Sequence, residues 1–182
     1  MRRAAGIALA RLGARLGARL GARLGAGVGV VALAVVSTGA LAAAAAKKVP
    51  YYASISAGKA RMRSGPARNY PASWMYQRAD LPVKVVAVYE RGGWLKVEDP
   101  AGVQGWIAGP LISDTRTAIV VGQVAELQQS PEPGSKVVWR AAPGVVGRLS
   151  KCARGWCHLD VKGRGGFVEI SRLWGIDATE QF

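Results

Sequence analysis

From residue 51 onward the chain shows no sustained 3.6-residue hydrophobic period, which argues against a helical core. Short runs of valine, isoleucine, leucine and aromatic residues stand instead between S-G-P, E-R-G-G, D-P-A-G, S-P-E-P-G, A-P-G and K-G-R-G-G. Glycine and proline at that spacing stop helices and permit tight reversals, so the pattern predicts an all-β chain. The runs also recur. Strands are expected over 81–89, 94–97 and 105–107, and again over 144–149, 156–161 and 166–168, with turns at 91–93, 99–102, 154–155 and 162–165. Gly93-Trp94 matches Gly155-Trp156, and Gly105-Trp106 matches Gly166-Phe167. The offset marks an internal duplication of about 62 residues. A copy of that size buries only about 60% of its surface alone, so the two copies are expected to pack on each other.

The charge is unevenly placed. No acidic residue precedes Asp80, and residues 1–46 carry six arginines (Arg2, Arg3, Arg11, Arg15, Arg19 and Arg23) and no lysine. Residues 26–46 are uncharged and end in Ala-x-Ala sites. A positive segment, an apolar segment and small residues, in that order, form a secretory signal. Residues 1–46 are therefore expected to be a signal peptide cut after Ala46, with Ala42 the second choice. The 21-residue stretch is long enough to span a bilayer if retained. Only seven of its residues are valine or leucine, however, which makes a weak permanent anchor. Either outcome leaves the remainder outside the cytoplasm, because the arginines stay inside; the expected location is periplasmic or otherwise exported. Four consecutive R-L-G-A units, beginning at Arg11, would stack arginines on one helical face, but a glycine in each weakens a helix by about 1 kcal/mol. The tract reads as repeat expansion in a discarded leader.

The pattern R-M-R-S-G-P-A-R-N-Y-P, the strand L-P-V-K-V-V-A-V-Y-E and then G-G-W-L-K-V-E-D-P-A-G-V-Q-G-W-I resembles bacterial SH3-like domains. The further order of W-x-Y, R-T-A-I-V, a cysteine pair around W-C and L-W-G is similar to proteobacterial exported proteins with two such domains. The resemblance implies two tandem SH3-like small β-barrels, over 51–113 and 116–176, and a binding function for cell-wall peptides or other proteins. The second copy departs from the pattern, with Gln129-Ser130-Pro131 in place of R-S-G-P and Phe167 in place of tryptophan. If the R-S-G-P loop belongs to a ligand groove, the second copy is the weaker binder.

Cys152 and Cys157 flank the turn A-R-G-W. In an oxidising compartment this spacing reads as a disulfide across neighbouring strands. Haem attachment is a poor alternative, because the usual spacing is shorter and a strand sends Cys157 and His158 to opposite faces. Zinc is poor as well, since those three ligands have no fourth. No metal or cofactor is expected. His158 is the one histidine, and neither a G-x-S-x-G turn nor a phosphate-cradling loop is present. The adjacent carboxylates Glu98 and Asp99 read as a solvated hairpin tip. A non-enzymatic chain is therefore expected, with an enzyme working through His158 or a carboxylate as the alternative.

Alternation in 94–97 puts Leu95 and Val97 on one face and Trp94 and Lys96 on the other. The next strand groups Ile107 with Val103, and Trp106 with Gln104. In the second copy Cys157, Leu159 and Val161 point inward, and Trp156, His158 and Asp160 outward. Trp94 and Trp106 then lie outside the barrel core, where they either form a recognition surface or pack the barrels together. The expected loop 63–76 adds Arg63, Tyr70, Trp74 and Tyr76 beside the R-S-G-P turn; the resemblance implies a peptide groove there. The candidate ligand-binding residues are Arg63, Tyr70, Trp74, Tyr76, Trp94 and Trp106. The expected ligand is a peptidoglycan stem peptide or an envelope protein, with an anionic polymer as the alternative. Nucleic acid is not expected of an exported chain, and membrane contact only through a retained signal. Residues 80–182 are nearly balanced in charge, so the basic excess after the leader surrounds the R-S-G-P loop.

Overall fold

The computed structural model describes residues 47–182; the expected signal segment, the R-L-G-A repeats and both expected cleavage positions lie outside the described residues. Two antiparallel sheets of seven strands account for the rest. The first contains β1 (Tyr51–Ile55), β2 (Ala60–Arg63), β3 (Ala72–Tyr76), β4 (Pro82–Tyr89), β5 (Trp94–Glu98), β6 (Gln104–Ala108) and β7 (Ile112–Ser113). The second contains β8 (Thr117–Val120), β9 (Ala125–Gln128), β10 (Val137–Ala141), β11 (Val146–Ala153), β12 (Trp156–Val161), β13 (Arg164–Glu169) and β14 (Leu173–Trp174). Their strand orders are the same, β3-β2-β6-β5-β4-β1-β7 and β10-β9-β13-β12-β11-β8-β14. The chain is all-β, built as two tandem SH3-like barrels.

Period-two alternation supplies each core. Ile55, Met62, Val83, Val85, Val97 and Ile107 are fully buried in the first barrel. Val120, Leu127, Leu159, Val168 and the two cysteines are their counterparts in the second. Each sheet curls until β2 meets β6 at Arg63 and Trp106, and β9 meets β13 at Gln128 and Phe167. That closure requires a glycine on the inner face. A Cβ at Gly105 would stand 2.3 Å from Met62 Cγ, and one at Gly166 would stand 2.9 Å from Leu127 Cβ.

Several details differ from the sequence expectation. Residues 72–76, expected as part of a loop, form β3, because A-S-W-M-Y pairs along β2 with Trp74 opposite Met62. The turn expected over 162–165 closes in two residues. Lys162 and Gly163 take φ of 54° and 84°, the mirror-image turn that suits strand twist, so Arg164 and Gly165 join β13. Val103 precedes β6 and is exposed instead of sharing the core with Ile107. Asp99 is buried and not a solvated tip. Its Oδ1 accepts the Ala101 and Val103 backbone N–H groups, and its Oδ2 accepts the Tyr76 hydroxyl at 2.9 Å.

Cys152 and Cys157 form the expected disulfide, which ties β11 to β12 inside the second core. Only residues 114–116 link β7 to β8. So short a span holds the barrels together, and Arg116 at its end bridges them. Its guanidinium faces the rings of Tyr52 and Phe182, donates to the Gly175 carbonyl at 2.8 Å and pairs with Glu180. Burial pulls the Arg116 pKa down, while Asp177 acts in the opposite sense. Trp174 meets Tyr52 edge-on with centroids 5.4 Å apart, and Arg78 donates to the Gly144 carbonyl at 3.0 Å. The mutual packing expected of two small copies is thus carried by Tyr52, Arg78, Arg116 and Trp174.

Candidate functional site

A groove of about 640 Å³ runs along the outer face of the first barrel. β2 forms one wall. Its odd positions face the core less and solvent more, so Arg61 and Arg63 share the groove face with Lys59 just before the strand. Met75 from β3, Arg68 from the intervening loop, Ala108 at the end of β6, and Pro110 and Leu111 after it complete the lining. Trp94 lies at its floor, 8% exposed yet outside the core cluster. The site therefore combines an aromatic floor, an apolar rim and four cations. None of these four cations has a carboxylate partner among the described residues.

The second barrel holds the equivalent groove, of about 490 Å³, and its chemistry is different. Register places Trp156 where Trp94 stands, while Val124, Glu126 and Gln128 replace Lys59, Arg61 and Arg63. Arg140 stands in for Met75 and is bonded to Glu126 at 3.0 Å. Glu169 and Arg172 then add one charge of each sign. This groove neutralises itself.

The six sequence candidates do not converge on one surface. Arg63 and Trp94 line the first groove. The Arg63 guanidinium also donates to the Tyr70 carbonyl at 2.6 Å, which fixes the loop between β2 and β3. Tyr70 is exposed, and its ring lies against Gly65 of the R-S-G-P turn, where a Cβ would come within 2.4 Å of it. Trp74 is 59% exposed and sits on the face of β3 opposite Met75. Tyr76 belongs to the barrel interior, which corrects its assignment to a ligand surface; burial first, and then its hydrogen bond to Asp99, push its pKa well up. Trp106 is half-buried outside the groove, edge-on to Tyr89 at 6.4 Å.

Lys59, Arg61 and Arg68 belong to the basic excess that the sequence places around the R-S-G-P loop, and the structure gathers them in this groove with Met75, which the sequence does not single out. Alternation in K-A-R-M-R puts three of the groove's cations on one strand face. His158 lies on the outer side of β12, with Nδ1 3.4 Å from the Ser150 hydroxyl oxygen and its ring edge-on to Phe167. No cluster of metal-ligating side chains occurs among the described residues.

Two small barrels of the same strand order, each with a tryptophan-floored groove on its outer face, define a tandem SH3-type module. The sequence profile described as bacterial SH3 domain matches residues 56–114 and again 122–175, and the chain belongs to that family. Bacterial SH3 domains are binding modules. No curated protein matches by sequence. Among solved structures, NlpC2 and NlpC1 from Trichomonas vaginalis each align with a TM-score of 0.33 at 11% identity over 71% of this chain, and over 49% and 47% of their own. An NlpC/P60 family protein from Bacillus cereus aligns with a TM-score of 0.30 at 13% identity, over 68% of this chain and 55% of its own. The chain thus spans about half the length of these proteins.

Proposed function

We propose that the protein is an exported, non-enzymatic binding module whose first barrel recognises an extended anionic peptide in the Trp94 groove. A peptidoglycan stem peptide or an acidic segment of an envelope protein meets that description. The observation that carries this reading is the set of Lys59, Arg61, Arg63 and Arg68 around one groove without a neutralising carboxylate. Like charges held together cost folding energy, and an anionic ligand offsets that cost while Trp94, Met75 and Leu111 supply apolar contact. The lining offers charge and surface but no histidine, thiol or carboxylate for catalysis.

Retention on purified peptidoglycan sacculi, measured at low and high salt, tests the reading. Peptide recognition predicts retention that high salt weakens but does not abolish, because the apolar contacts persist, and that Arg61→Glu removes. Binding abolished by salt alone favours the second reading, an anionic polymer held by the same four cations. Absence of binding to sacculi in either salt removes the cell-wall ligand. His158→Ala is expected to leave the biological activity intact; complete loss of activity in a normally folded variant would favour an enzyme.

A further inference from the structure

The duplication makes each barrel a template for the other, and one exchange opens space in the second. In the first barrel the Tyr76 ring fills the end of the core, and its hydroxyl is held by Asp99. Tyr76 is opposite Ala60 on β2, and Ala141 is opposite Ala125 on β9, so Ala141 is the counterpart of Tyr76. Glu98 pairs with Gln104 and Asp160 with Gly165, which makes Val161 the counterpart of Asp99. Ring and carboxylate are thus both replaced by small apolar side chains. The result is a solvent-open cavity of about 160 Å³ whose apolar lining, Leu127, Trp139, Ala141, Val145 and Val161, is flanked by Arg140 and Arg164. A cavity of roughly 150 Å³ suffices for a benzene ring.

The mouth of this cavity has its own chemistry. Trp139 is 45% exposed, and the neighbouring Val138 is exposed too. Arg164 lies over the Trp139 ring at 5.1 Å and has no carboxylate partner among the described residues. An exposed tryptophan beside an apolar hollow is the anatomy of an interaction hot spot, in which a partner's anchor side chain enters a pocket. The unpaired guanidinium specifies the anchor's neighbour.

We propose that this hollow is a docking socket for one aromatic side chain, phenylalanine or tyrosine, of a protein partner that carries a carboxylate beside it for Arg164. Ring volume and charge complementarity both point to that occupant. The socket shares only Arg140 with the Trp156 groove and lies wholly in the second barrel, so it stands independently of the function assigned to the first barrel.

The test is an NMR titration of the full chain with an acetylated, amidated Gly-Asp-Phe-Asp-Gly peptide, following the indole N–H signals of Trp139 and Trp94. The socket predicts a saturable shift at Trp139, with binding weakened at least tenfold by Arg164→Glu and lost when the peptide's phenylalanine is replaced by alanine. The double variant Ala141→Tyr with Val161→Asp restores the pair found in the first barrel. It is expected to fold and to abolish the Trp139 response. If that variant does not fold, Ala141→Met fills the same space without a buried carboxylate and is expected to do the same. No Trp139 shift at millimolar peptide, an undiminished response to the alanine peptide, or full binding by a folded, filled variant would overturn the proposal.

Discussion

The two grooves share a backbone and an aromatic floor but not a charge. In the first, Lys59, Arg61, Arg63 and Arg68 face one another with no acid between them. In the second, Glu126 binds Arg140, and Glu169 and Arg172 complete a neutral lining. Duplication preserves what closes the barrel, namely Gly105 and Gly166 against the opposing strand, and leaves the outward positions free to change. The structural half of each copy is therefore common, and the recognition half is private to each.

The largest expected effect breaks that difference at its source. Arg61→Glu together with Arg63→Glu places two acids in the first groove and is expected to weaken binding to an acidic peptide by about a hundredfold or more, since each close charge pair is worth some 1.5 kcal/mol upward. Titration by tryptophan fluorescence measures it, with Glu126→Gln as the control expected to change nothing.

A second contrast concerns how the cores are held. The second barrel has the Cys152–Cys157 disulfide and the first has the buried Tyr76–Asp99 hydrogen bond. Replacing both cysteines with serine is expected to cost about 2 kcal/mol through restored chain entropy, with lost packing adding to it. Chemical denaturation with intact and substituted protein reads that loss.

Tyr76→Phe is expected to cost about 1–3 kcal/mol, because Asp99 loses a buried donor. It also changes the pH response. The Tyr76 pKa is raised by folding, so its stabilising contribution is complete below the ordinary value of 10.0 and is lost as pH rises above it. Denaturation between pH 8 and 11, a range set around the usual tyrosine pKa of about 10, should show the wild type weakening at the alkaline end with a slope that Tyr76→Phe reduces.

The smallest effect sharpens the comparison. Arg140→Ala removes an exposed ion pair in the second groove, so stability is expected to fall by less than about 1 kcal/mol. Peptide affinity of the first groove should stay unchanged.

Much of this fold was legible in the sequence because turns and strand alternation are local. G-G-W, R-G-W and K-G-R-G-G place hairpins, and the apolar alternation of 156–161 correctly sends Cys157 and Leu159 inward and His158 outward. The groove was harder to read. Its cations lie just before β2, on it and in the loop beyond it, while its floor is β5, and only the fold of the barrel brings them together. Aromatic residues near R-S-G-P drew attention to Tyr76, yet sequence has no signal that a tyrosine's hydroxyl will meet an aspartate on a distant turn. The cavity beneath Trp139 likewise depends on strand pairing, which sets Ala141 and Val161 where the first barrel has Tyr76 and Asp99, and no local pattern carries that.

The central claim is that the outward residues of β2 decide which barrel binds. Exchanging them tests it most directly: Lys59→Val, Arg61→Glu and Arg63→Gln in one protein, and Val124→Lys, Glu126→Arg and Gln128→Arg in another, each titrated calorimetrically with the same acidic stem peptide. The account predicts that the first protein loses binding and that the second gains an additional site. Unchanged affinity and one site per chain in both proteins would contradict it.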